Sequence, residues 1–518
     1  MGFEKGKTDQ MERVLSNKRV IIFSVFVAGL CSLVYELLIS TTASYFLGDS
    51  VKQFSITIGL YLASMGLGAY VSRLIKTKLL RSFVAVEILL GLVGGLSVPL
   101  LYLTYAYGMV FWPVVVGLIM IIGALTGLEI PLLTRIMDRE EALDVNLANI
   151  LSFDYLGALL ATLAFPFLLL PVLGTFRASL TLGLCNLVIG VVNVWWFTDL
   201  LDRRSRRQGY LFSVGAALVL GGLLAASGPL MDRWTDDVYE DRIVFREQTP
   251  YQKIVMTRWK EDLRLFLDGN LQFSSLDEPR YHEPLVHVPM SQVELPRRVL
   301  VLGGGDGLVA REVLKYESVE RVTIVDLDPK MFEIARTYPA LTRLNERSLH
   351  SPRVHTVAKD AFVFLEEANR TYDLIIADLP DPNNISLARL YSRTFYGLVR
   401  SHLADGGVFV TQATSPYFAR EAFWTIHETL RAAEFTHTYP FHVNVPSFGE
   451  WGFILAAERS LDPTTATPTV DTRFLNERIV PGLFRFPKDL QSLGDRRPST
   501  LDRPRVLDAY LDGWRHWN

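Results

Sequence analysis

The stretch VLVLGGGDGLVAREVL, Val299–Leu314, decides how this chain is read. An apolar run breaks into Gly303, Gly304, Gly305 and Gly307 and resumes with helical spacing, the pattern of strand, tight turn and helix. Glycine lets a backbone approach a ligand at such a turn, although close strand-to-helix packing alone also calls for it. Asp326 ends the next apolar strand about 20 residues on, where a carboxylate accepts from both hydroxyls of a ribose. Asp306, inside the turn, narrows the choice. A pyrophosphate favours a helix N-terminus free of an added anion, so this aspartate argues against NAD and for a cationic ligand.

Working outward, the apolar runs RVLVLG, RVTIVD, RVHTVA, YDLIIAD and GGVFVTQ alternate with helical stretches, which predicts a parallel sheet covered by helices. Ligands of such sheets bind beyond the carboxyl ends of the strands. Asp360 follows the third run, in reach of a base edge, and Asp378 and Asp381 follow the fourth. Upstream, RIVFREQ, QKIVMTR and LRLFLDGNLQF read as short strands, with Asp268-Gly269-Asn270 as a turn.

Further upstream the composition changes. The chain of 518 residues is 49% hydrophobic, and the excess lies in its first half. About seven runs there reach the roughly 20 apolar residues that cross a bilayer: 19–41, 53–72, 82–104, 108–131, 151–173, 177–198 and 209–229. The first follows Lys5, Lys7, Arg13, Lys18 and Arg19 and lacks a small-residue cleavage site, so it reads as a retained anchor. Glu36, Glu87, Glu129 and Asp154 fall inside these runs, where ionisable groups are costly and often functional. Near Trp234 the spanning runs stop. The expected organisation is a multi-pass helical membrane domain over 1–230, a β-strand subdomain over 231–295, a Rossmann-like α/β catalytic domain over 296–460 and a C-terminal extension over 461–518.

Charge and rare residues exclude several classes. A net charge of −3 argues against nucleic-acid binding. The two cysteines, Cys31 and Cys185, sit in apolar runs and offer neither a disulfide framework nor a CxxC site. His282-Glu283-Pro284-Leu285-Val286-His287 spaces its histidines five apart around a proline, which does not place them on one helix face for zinc.

The soluble half resembles the polyamine aminopropyltransferases typified by spermidine synthase. YQKIVM, LDGNLQF, DEPRYHEPLVHVP, VLGGGDGLVAREVLK, VTIVDLDP, KDAFVFL, YDLIIADLPDP, LYSRTFY and GEWGF carry the likeness, in order, over roughly 240–457. The apolar half is similar to the multi-pass extension of some bacterial members, which implies a cell-membrane enzyme. The resemblance implies a donor, decarboxylated S-adenosylmethionine, an amine acceptor, usually putrescine, and no metal or redox cofactor. It places the aminopropyl ammonium on Asp306, the ribose on Asp326 and the adenine amino group on Asp360, with Gln252 and Gln272 in donor-facing segments. Tyr281 and His282 fall on the acceptor side with Asp381 and Glu450, and Asp378 is the candidate base. Phe441, His442, Phe448 and Trp451 are candidates for either an acceptor channel or core.

Gly307-Leu308 and Leu379-Pro380 depart from the usual soluble pattern, and DLPDP and SFGEWGF look closer to thermospermine-type and membrane-bound members. Spermidine therefore stands beside putrescine as acceptor. Two other readings remain, a methyltransferase using intact S-adenosylmethionine and a membrane polyamine sensor or carrier. The partners implied are small cationic substrates and a lipid bilayer, with homo-oligomer formation left open. Basic loops at Arg73-Lys76-Lys78-Arg81 and Arg203-Arg204-Arg206-Arg207 fall on the inner side if the first helix enters from inside. Seven crossings would then leave the soluble half outside.

Overall fold

The computed structural model describes residues 2–47, 50–108, 110–137, 143–231, 239, 241–492, 494, 496–515 and 517. Two compact units result, 1–240 and 241–518. The expected boundary near Trp234 lies outside the described residues.

The first unit is helical: α1 (Gly2–Leu47), α2 (Ser50–Val71), α3 (Leu79–Ala106), α4 (Phe111–Met137), α5 (Leu143–Ala164), α6 (Leu170–Trp196) and α7 (Arg203–Ala225). Among the described residues, six continuous helices are long and apolar enough to cross a membrane, against the seven runs expected. The difference lies in Leu147–Trp196, one 50-residue helical stretch holding the fifth and sixth runs. A π-helical turn at Phe165–Leu169 and a non-helical Gly174 (φ 67°, ψ 174°) break it. The two parts run in opposite directions along α1. Ile150 clusters with Ile21 and Val25, and Asp154 abuts Gly29 further along; on α6 the order inverts, Asn193 meeting Ser24 and Leu182 meeting Cys31.

Large apolar side chains such as Leu62, Phe167, Phe212 and Leu218 are exposed on this unit. Contiguous exposed apolar surface marks a face that meets another apolar phase. Glu87 and Glu129 are buried, and both Glu87 oxygens and Glu129 Oε1 lack hydrogen-bond partners among the described residues.

The second unit begins with a four-stranded antiparallel meander, β1 (Arg242–Gln248), β2 (Lys253–Trp259), β3 (Asp262–Leu267) and β4 (Asn270–Ser274). Then come α8 (Pro279–Met290), β5 (Arg298–Gly303), α9 (Leu308–Leu314), β6 (Arg321–Asp326), α10 (Pro329–Thr337), β7 (Val354–Ala358), α11 (Ala361–Glu367) and β8 (Tyr372–Asp378). After these follow α12 (Arg393–Ser401), β9 (Leu403–Gln412), α13 (Arg420–Ala432), β10 (His437–Val445), β11 (Gly449–Ala457) and α14 (Arg505–Trp514), leaving shorter turns aside.

The main sheet has the order β10-β11-β9-β8-β5-β6-β7. Five strands are parallel as expected, but β10 and β11 add an antiparallel hairpin, so the sheet is mixed. Alternation on β5 shows why it is covered on both faces. Val299 and Val301 join one core with Leu285, Val309 and Ile334, while Leu300 and Leu302 join another with Leu365, Phe423 and Leu507. The chain moves from β5 out to β6 and β7, then returns to β8 on the opposite side of β5. This reversal makes the gap between β5 and β8 a topological switch point, where α/β sheets open a binding crevice.

Candidate active site

The crevice at that switch point is lined by carboxylates. Gly303 ends β5 in register with Asp378, which ends β8. A Cβ at Gly303 would collide with the Asp378 carbonyl oxygen, and the residue's φ of 83° suits glycine, so only glycine admits this pairing. Gly305 is held to a similar tolerance. Its N–H donates to Asp326 Oδ2 at 3.1 Å, and a Cβ there would stand 2.6 Å from the same oxygen. Asp326 also accepts from the Asp328 N–H at 3.0 Å.

Asp306 opens the turn into α9, its Oδ1 accepting from the Leu308 N–H at 2.9 Å. Burial pushes its carboxyl up to about 6, with the Asp378 and Asp326 charges adding to the rise and His282 opposing it. Asp326 is pushed up to about 6 as well, by burial and by the neighbouring Asp328 and Asp378, against its two backbone donors. Burial also raises Asp378, opposed by His282 and by Tyr281, whose hydroxyl donates to Asp378 Oδ1 at 2.7 Å.

Tyr281 and His282 come from α8, which is buried along nearly its whole length. Beneath them lies a chain of ionic groups. His282 Nδ1 donates to Glu278 Oε2 at 2.9 Å, Arg311 grips both Glu278 oxygens at 2.9 and 2.8 Å, and Arg311 Nε donates to Glu312 Oε1 at 2.8 Å. Burial alone would raise Glu278; the hydrogen bonds and charges of His282 and Arg311 outweigh it and hold the carboxyl down at about 2. His282 shows the mirror image: burial lowers it, and the bond to Glu278 raises it more. An ionised Glu278 thus favours a cationic His282, whose charge acts on Asp306 and Asp378.

On the far side of Asp378, the loop Leu379–Pro380 is pinned from below. The Tyr391 hydroxyl donates to the Pro380 carbonyl at 2.9 Å, and Gln412 Nε2 donates to that of Leu379 at 2.6 Å. Asp381 accepts from Gln412 at 3.3 Å and from Thr414 Oγ1 at 3.2 Å. Burial pushes Asp381 up to about 6, opposed by Tyr510, Gln412 and Thr414. Thr414 is a β-branched residue at φ 59°, a conformation that is strained for its type and that aims its hydroxyl at Asp381.

The expected site residues divide into three groups. Asp306, Asp326, Tyr281, His282 and Asp378 converge through the bonds and charges above, with Asp381 on the pinned loop beside Asp378. Gln252 approaches indirectly, donating to Asp328 Oδ2 at 3.2 Å. The remaining three are engaged elsewhere. Gln272 donates to Asn270 O in its own hairpin at 3.0 Å, Glu450 pairs with His442, and Asp360 caps α11 at 3.0 and 3.1 Å while pairing with Arg389. Of the aromatic candidates, Phe441 is core, stacked on Phe453 at 5.2 Å. Phe448 and Trp451 face Tyr281, with ring centroids 6.1 and 6.5 Å away. Glu278, Arg311, Gln412, Thr414 and Tyr510 escaped the sequence reading. Only Glu278, beside Tyr281 in DEPRYHEP, carried a usable signal there.

Residues 278–466 match the spermine/spermidine synthase domain. Polyamine aminopropyltransferase 2 of Ralstonia nicotianae is 44% identical over 506 residues, covering 96% of this chain and 98% of its own. The polyamine aminopropyltransferases of Leptospira interrogans and Mycobacterium tuberculosis are 40% and 39% identical, each over 96% of this chain. A crystal structure of spermidine synthase in complex with the transition state analogue AdoDATO aligns with 48% of this chain and 86% of its own, at 26% identity and a TM-score of 0.43. Similarity to the curated enzymes runs through the helical unit as well as the α/β unit. The chain belongs to the polyamine aminopropyltransferase family and is an aminopropyltransferase.

Proposed function

We propose that the enzyme transfers the aminopropyl group of decarboxylated S-adenosylmethionine to putrescine, forming spermidine and 5'-methylthioadenosine. The observation that carries this reading is the convergence of Asp306, Asp326 and Asp378, with Asp381 alongside, at one crevice. Both substrates are cations, and buried carboxylates bind them and raise their local concentration. In this assignment Asp326 holds the ribose and Asp306 the aminopropyl ammonium, while Gln252 steadies the donor side through Asp328 and Asp360 would have to release Arg389 to meet the adenine. A carboxylate at 306 also repels the carboxylate of intact S-adenosylmethionine, which disfavours methyl transfer.

The acceptor's neutral amine attacks the methylene next to the sulfonium. As the new N–C bond forms, the C–S bond breaks and its electrons stay on sulfur, leaving a neutral thioether. The attacking nitrogen then gives up a proton, and Asp378, oriented by Tyr281, is the base that takes it. Because the sulfonium is already a good leaving group, the remaining catalytic work is alignment and exclusion of water. Tyr281, Phe448 and Trp451 supply an apolar wall for an alkyl chain between two amines. We further propose that the helical unit spans a membrane, a reading supported by six long apolar helices and their exposed apolar side chains.

The deciding experiment supplies the full-length protein with decarboxylated or intact S-adenosylmethionine and a panel of diamines and triamines, and identifies products by mass. Spermidine from putrescine and the decarboxylated donor is expected. A product from spermidine alone would transfer the assignment to the longer acceptor, and methylated products would overturn it.

A further inference from the structure

The turn 249–252 joins β1 to β2 and is ordered by one hydroxyl. Thr249 Oγ1 accepts from the N–H groups of Tyr251 and Gln252 at 3.1 and 3.0 Å. Its own proton has two acceptors in reach, the Gln252 carbonyl at 3.1 Å and Asp328 Oδ2 at 2.7 Å, and the shorter contact is to the carboxylate. Gln252 Nε2 donates to the same Asp328 oxygen at 3.2 Å. Both ends of the turn are therefore tied to one atom, 79 residues from Thr249 along the chain.

Asp328 is 1% exposed, and its second oxygen caps α10 by accepting from the Lys330 N–H at 3.0 Å. Its backbone faces the other way: the Asp328 N–H donates to Asp326 Oδ1 at 3.0 Å, while the Gly305 N–H holds Asp326 Oδ2 at 3.1 Å. A continuous hydrogen-bonded path thus runs from the meander, through Asp328, to the carboxylate at the end of β6. Other contacts along the same seam do not involve the hydroxyl. Phe245 of β1 meets Tyr338 edge-on with centroids 5.5 Å apart, and Glu247 lies 3.7 Å from Lys330 Nζ.

We propose that Thr249 is a positioning residue for the ribose of the donor, acting through Asp328 on Asp326; this rests on the ribose assignment made above. A carboxylate that receives two ribose hydroxyls needs its free lone pairs in set directions, and on Asp326 the Asp328 and Gly305 N–H groups set them. The Asp328 N–H keeps its aim only while the Asp328 side chain is fixed, and Thr249 supplies the shorter of the two side-chain hydrogen bonds that fix it. Removing the hydroxyl leaves that side chain to Gln252 and the Lys330 N–H, and it takes from the turn the acceptor that orders Gln252 itself.

Thr249→Val keeps the branched shape and removes the hydroxyl. In the full-length enzyme the donor KM should rise roughly tenfold, the scale of one hydrogen bond to a charged group, with kcat and the acceptor KM changed less than about twofold. Thr249→Ser, which retains the hydroxyl, should bring the donor KM back to within about twofold of the unaltered enzyme. Calorimetry with 5'-methylthioadenosine and its 2',3'-dideoxy counterpart asks whether the effect passes through Asp326. Thr249→Val should weaken the first roughly tenfold and the second less than about twofold, because only the first offers the hydroxyls that Asp326 receives. Thr249→Ala gives a second reading if the valine variant does not fold. An unchanged donor KM overturns the inference, as does equal weakening of the two nucleosides or a serine variant that fails to restore binding. If the unaltered enzyme binds both nucleosides equally well, the ribose assignment itself fails; an unaltered enzyme that prefers 5'-methylthioadenosine, with an indifferent Thr249→Val variant, sinks only this proposal.

Discussion

At the scale of single residues, the site is a set of carboxylates held where water solvates them poorly. Asp378→Asn should lower kcat by about two to four orders of magnitude, the range for a lost general base, while donor binding measured by calorimetry stays near that of the unaltered enzyme. Near-normal turnover would remove Asp378 from that role. The half-buried acids also make a claim about pH. Asp306, Asp326 and Asp381 have folded values near 6, above the 3.8 of an unperturbed aspartate. Between about 4 and about 6 the folded state keeps protons that the unfolded chain has released, so the stability of the ligand-free protein should fall as pH rises through that window. Cationic substrates reverse the effect by favouring the ionised forms. Denaturant midpoints at pH 4.5 and 7, with and without donor, check both signs; a ligand-free midpoint that rises across the window contradicts the assignment. Asp306 and Asp326 were legible because a strand-turn-helix pattern fixes where strand ends lie. Engagement was not legible: Asp360 already binds a helix terminus and Arg389, and Glu450 already binds His442, through partners distant in sequence or across a hairpin.

Among the elements, α8 unites the most chemistry in the shortest length. It carries Tyr281 and His282 toward the crevice, while Glu278, the residue preceding it, is locked to Arg311 of α9. Glu278→Gln should destabilise the α/β unit by about 3–5 kcal/mol, because a buried guanidinium loses the anion that offsets its desolvation. It should also lower the pKa of His282, observable by NMR. A stability loss under about 1 kcal/mol, typical of exposed pairs, would show that Arg311 is compensated elsewhere. Period-two and apolar patterns located all five parallel strands and the meander. The β10-β11 hairpin was missed although Pro446-Ser447-Phe448-Gly449 is a usable turn signal, because its aromatic residues read as core or channel lining until β9 stands beside them. The α8 network was invisible for a related reason: charged residues in a helical segment read as a solvated face until the fold buries them.

For the whole molecule, the reversal at Gly174 bears on topology. A helical stretch of 50 residues is far longer than one crossing requires, and its two parts run oppositely along α1, which supports seven crossings rather than six. If the helical unit spans a membrane as proposed, basic loops inside and an odd number of crossings predict the α/β unit on the outer side. A C-terminal alkaline phosphatase fusion should therefore be active, and a C-terminal green fluorescent protein should stay dark when exported unfolded. The opposite pair of signals from stably inserted fusions would restore an even count.

The conformation of Thr414 sets a limit on improving this enzyme. A β-branched residue in the left-handed region gives up roughly 1–3 kcal/mol that glycine would recover. Glycine, however, brings no hydroxyl to Asp381. Directed evolution for heat tolerance alone would favour Thr414→Gly and score it as a gain; if Asp381 holds the acceptor, as the family resemblance implies, the loosened carboxylate would surface only when acceptor was scarce. Thermal screens of this enzyme should be run with limiting amine, where the two effects carry opposite signs.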